Sequence, residues 1–98
     1  MELKDLIVSV REQNLTKDEL EGYRDQLSGL FAQFQLEMAD KEKEEALFMN
    51  QPGDKSVAQR KVEWKATDSG QRLIVLKRYA TATKELLSSL RNRLFNVY

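Results

Sequence analysis

Residues 70–98, GQRLIVLKRYATATKELLSSLRNRLFNVY, decide the fold. The stretch holds no proline and no interior glycine, and its apolar residues recur at helical spacing. Leu73, Leu76, Ala80, Leu87, Leu90, Leu94 and Val97 share one a/d seam, with Thr83 as its polar member. The segment reads as one helix of about 25 residues or more. A helix with a long seam needs a partner, so the rest of the chain must supply a facing helix.

Upstream, Leu3, Leu6, Ile7 and Val10 mark one face of a short helix over about 2–12. Thr16-Lys17-Asp18-Glu19 is a capping box, with Leu15 and Leu20 placed as a hydrophobic staple. A second helix therefore starts at Lys17. Leu20, Tyr23, Leu27, Leu30, Phe31, Phe34 and Met38 form its stripe, and the charged block 40–45 consists of helix formers, so the helix runs to about 49. Pro52-Gly53 in a polar run marks a reversal over 50–55. Ser56 and Gln59 form a further capping box, opening a third helix at Val57.

Thr67-Asp68-Ser69-Gly70 interrupts that helix in composition but not in phase. Stepping back from Leu73 by four and three gives Ser69, Ala66 and Val62, so the pattern favours one helix over 57–96 with a bend at Gly70. The expected fold is all-α: a long antiparallel, coiled-coil-like helical hairpin, with the short first helix packed at its open end against Leu90, Leu94 and Val97. Residues 1–98 read as a single domain. Folding about Gly53 sets residue i opposite about 106 − i, so that Phe34 faces Ser69 and Leu73.

Composition narrows the function. One third of the chain is charged, and it has neither cysteine nor histidine. Thiolate and imidazole chemistry are therefore unavailable, both as nucleophile or base and as metal ligand. The glycines stand alone, without a phosphate-binding loop. No segment resembles a signal peptide or a membrane span. These features favour a non-enzymatic, cytoplasmic protein with no cofactor, no metal and no small-molecule substrate.

Two features point to macromolecular partners. First, Leu73-Ile74-Val75-Leu76 wraps most of the helix, and Leu86, Phe95, Phe31 and Phe48 also lie off the seam. Such residues suit an oligomer or partner interface, with Ile74, Val75, Leu86, Phe95, Phe31 and Phe48 as candidates. Second, the formal charge is −6 over residues 1–49 and +6 over residues 50–98. An acidic arm lying against a basic arm accounts for this, with Lys77, Lys84 and Arg91 facing Asp18, Glu19, Glu21 and Asp25. The other account is an anionic partner. Arg60, Lys61 and Lys65 surround Trp64, with Arg72 on the same arm, a combination suited to single-stranded nucleic acid. Alternatively, Trp64 packs over Phe48 near the turn.

The third helix carries Arg60-Lys61-x-x-Trp64, then Gly70, Leu73-x-x-Leu76-Lys77-x-Tyr79 and Leu86-Leu87-x-Ser89-Leu90-x-x-Arg93-Leu94. In layout this resembles small helical bacteriophage proteins, in particular the UvsY-type recombination mediators. The resemblance implies an oligomer that binds single-stranded DNA through Arg60 and Lys61 and works with recombination proteins in the host cytoplasm. Without it, the same residues fit a protein-interaction module, such as an inhibitor, an adaptor or a structural coiled coil.

Overall fold

The computed structural model describes residues 2–11 and 14–97. Four helices are present, α1 (Leu3–Val10), α2 (Lys17–Met49), α3 (Val57–Ala66) and α4 (Asp68–Val97), with no strand among the described residues. The chain is an all-α helical hairpin in which α2 and α4 pack against each other. The expected end of the first helix, residue 12, lies outside the described residues.

Local chemistry explains the helix starts. The Thr16 hydroxyl accepts from the Glu19 amide at 3.2 Å, and the Thr16 amide donates to the Glu19 carboxylate at 3.3 Å. This capping box occupies donors that the first turn of α2 would otherwise leave without partners. Ser56 and Gln59 repeat the arrangement at α3, at 3.2 Å and 3.1 Å. Between them the chain reverses through Pro52 and Gly53, whose φ of +145° falls in a region that side-chain-bearing residues avoid.

The chain's contacts divide into two compact units. One joins the residues up to Gln33 with those from Ala80 onward. Its core is Leu6 and Val10 of α1, Leu20 and Leu27 of α2, and Leu90 and Leu94 of α4. Leu15 and Leu87 pack against this core half-buried, and the Arg93 guanidinium donates to the Val10 carbonyl, tying α1 to α4. Apart from the half-buried Leu87, the α4 seam is buried where its spacing predicts; the Val97 side chain lies outside the described residues.

The other unit, Phe34–Tyr79, contains the reversal, α3 and the first turns of α4. Leu73, Leu76 and Trp64 are its buried apolar residues. Here the register differs from 106 − i by about one helical turn. Phe34, expected opposite Ser69 and Leu73, meets the Tyr79 ring at 5.6 Å, while Ser69 accepts from Lys41 at 3.4 Å. The turn causes the shift. Ser56 is extended, and Arg60 instead of Val57 comes level with the end of α2, its guanidinium donating to the Met49 carbonyl at 2.6 Å.

The third helix is not continuous. Thr67, with φ −77° and ψ 157°, is extended and separates α3 from α4. Its amide and hydroxyl both donate to the Trp64 carbonyl, at 3.0 and 2.6 Å, closing α3. The same hydroxyl accepts from the Gly70 amide at 3.0 Å, and the Thr67 carbonyl accepts from Gln71 at 3.0 Å, opening α4. Thr67 is therefore both the end of one helix and the cap of the next. The break resets the phase: Val62 is 69% exposed and Ala66 is exposed, while Trp64, 200° away on a helix, is buried. An indole buries on the order of 200 Å² and gains further from an aromatic neighbour. Trp64 has one in Phe48, centroids 5.6 Å apart.

Candidate functional site

The basic residues of the third helix divide by what the fold asks of them. Arg60 lies at the C-terminus of α2, donating to the carbonyls of Met49 and, at 3.3 Å, Gly53. A cation there satisfies carbonyls that the helix cannot and sits at the negative end of its dipole. Arg60 is thus a cap for the turn. Arg72 donates to both carboxylate oxygens of Glu37 of α2 through its Nε and Nη2, at 2.6 and 3.1 Å. Trp64 is only 6% exposed and lies on Phe48, so no ring face is open for a base to stack on. The packing of Trp64 over Phe48 is the second of the two arrangements its sequence context allowed.

Lys61 and Lys65 remain. Both are exposed, and with Glu45, Met49 and Trp64 they line a shallow groove of about 270 Å³ beside the end of α2. On α4, Lys77, Lys84 and Arg91 are exposed. Of the acidic residues expected to face them, Glu19 serves the capping box and Asp25 lies 3.4 Å from its neighbour Arg24. An acidic-to-basic link between the arms is made by Glu37 and Arg72.

That pair responds to pH. Hydrogen bonds from Arg72 hold the Glu37 carboxyl below the usual glutamate range; burial opposes this, and the charges of Arg72 and Lys41 add to it. Since the folded value is the lower one, the stabilisation is complete above the ordinary glutamate pKa and is lost as pH falls through the depressed value. Both side chains are about two-fifths exposed, so solvent screens the pair and its worth is at most about 1 kcal/mol. Glu37→Gln should therefore lower the urea midpoint slightly at neutral pH and leave it unchanged at acid pH, where the wild type has lost the same interaction.

The apolar candidates also divide. Phe95 is 81% exposed. Ile74, Val75 and Phe31 are half-buried, Leu86 packs on the α1/α2/α4 core, and Phe48 holds Trp64. The most exposed apolar side chains otherwise lie elsewhere: Leu36 at 71%, Val62 at 69%, Leu47 at 68%, Val8 at 64% and Val57 at 63%. The signal for Leu36 and Leu47 is present in the sequence, since both lie off the stripe that carries Leu27, Leu30 and Phe34.

Among the described residues, no cluster of acidic side chains is arranged to hold a cation, and no helix is long and apolar enough to cross a membrane. Comparison with known proteins finds no matching family, no matching curated protein and no matching solved structure.

Proposed function

We propose that the chain is a non-enzymatic helical interaction module that acts by docking onto protein surfaces. The supporting observation is the division of labour just described. Arg60, Trp64 and Arg72 are engaged within the fold, whereas large apolar side chains on α1–α4 are left bare. Bare aliphatic residues on slender helices favour a partner that can bury them.

A second reading, a mediator that binds single-stranded DNA in the manner of the phage recombination proteins, is favoured by one observation: Lys61 and Lys65 are exposed on one groove. Titrating a labelled single-stranded oligonucleotide with the protein, with fluorescence anisotropy as readout, separates the two. The docking reading expects no rise at low salt up to tens of micromolar protein. Binding that weakens steeply with salt and disappears in Lys61→Glu/Lys65→Glu would replace it with the mediator reading.

A further inference from the structure

Leu36, Asp40, Lys43 and Leu47 follow one another on α2 at steps of four, three and four residues, the spacing of a helix–helix seam. The four side chains lie within about 60° of one another around the helix axis. This stripe is distinct from the face turned to α4, which carries Phe34, Glu37 and Lys41. All four residues are exposed, and Ala39 and Ala46 beside them are exposed and small. Asp40 and Lys43 have no side-chain hydrogen bond or ion pair among the described residues.

The order of the four residues carries the argument. Leu–Asp–Lys–Leu read backwards is Leu–Lys–Asp–Leu, its own electrostatic complement. A two-fold axis between Asp40 and Lys43 sets Leu36 against Leu47 of a second copy, Asp40 against Lys43, Lys43 against Asp40, and Leu47 against Leu36. Two-fold contacts demand this kind of self-complementarity. A parallel pairing would set Asp40 on Asp40 and Lys43 on Lys43, so the charges also select the antiparallel direction.

We infer that the Leu36–Asp40–Lys43–Leu47 stripe of α2 is the contact of an antiparallel two-fold dimer of this chain. The seam runs over eleven residue steps, roughly 16 Å of helix, and buries less than the ~1,200–2,000 Å² of durable complexes. The dimer is therefore weak and concentration-dependent. The inference rests on reading the chain as an interaction module, but the two fail separately. Nucleic-acid binding would remove that reading without touching the dimer, and a monomer would move the docking surface elsewhere.

Sedimentation equilibrium of the full chain, from micromolar to millimolar concentration at low salt, tests it. The wild-type mass should climb from 11.4 kDa towards twice that value. Asp40→Lys alone and Lys43→Asp alone each face like charge with like charge and should stay monomeric. The double variant Asp40→Lys/Lys43→Asp restores the complement and should restore the dimer. An equimolar mixture of the two single variants should associate as well. Circular dichroism checks that each variant keeps its helices, and Leu36→Gln/Leu47→Gln, which alters no charge, should also be monomeric. A wild type that stays at 11.4 kDa throughout, single variants that associate as well as the wild type, or a charge reversal that fails to rescue would each overturn the inference.

Discussion

Leu27→Ala should lower the thermal midpoint by on the order of 10–30 °C, followed by far-ultraviolet circular dichroism. Leu27 is fully buried in the core shared with Leu6, Val10, Leu20, Leu90 and Leu94. Removing the isobutyl group loses its transfer free energy and leaves a hollow between helices that can only partly close, a cost of about 2–5 kcal/mol. A domain of this size is stable by only about 5–15 kcal/mol, so one side chain carries a large share. Leu36→Ala on the same helix is the control. That side chain is 71% exposed, so it should shift the midpoint little.

Gly70→Ala should also destabilise, against the usual sign. In an ordinary helix interior the change gains about 1 kcal/mol. Here the new Cβ would sit 1.9 Å from the Trp64 carbonyl oxygen and 2.8 Å from its carbon. Both are backbone atoms held by Thr67, so neither can rotate away. Relieving the overlap must disturb the α3–α4 junction, at about 1–3 kcal/mol. Chemical denaturation should show the loss, and the emission of Trp64, the chain's one tryptophan, should shift to the red as its seat on Phe48 loosens. A more stable variant with unshifted emission would mean that the junction tolerates a side chain at this position.

The contrast between these residues shows what could be read from sequence. Leu27 and the α4 seam were legible because a heptad pattern reports burial along a whole helix, and Thr16 and Ser56 because a capping box is a local code. Gly70 was conspicuous, but its reason was not. The phase of Val62, Ala66, Ser69 and Leu73 agrees with an unbroken helix, and the break depends on Trp64 finding Phe48, which lies sixteen residues away in sequence. The same contact decides the candidate site. Arg60, Lys61, Trp64 and Lys65 look alike as a basic, aromatic cluster. Only the path of the turn makes Arg60 a cap and Trp64 a core residue, leaving the two lysines outside. The register was out by about one helical turn because the sequence did not show that Arg60 would come level with Met49.

The division of contacts between the two units also sets an order for synthesis. The chain grows from its N-terminus, so Leu6, Val10, Leu20 and Leu27 are made long before Leu90 and Leu94, which complete their core. The Phe34–Tyr79 unit is contiguous in sequence, so its pairing about the turn closes only a short loop. Until the final helix emerges, the apolar face of α1 and the first turns of α2 must wait uncovered, a nascent-chain surface suited to a chaperone.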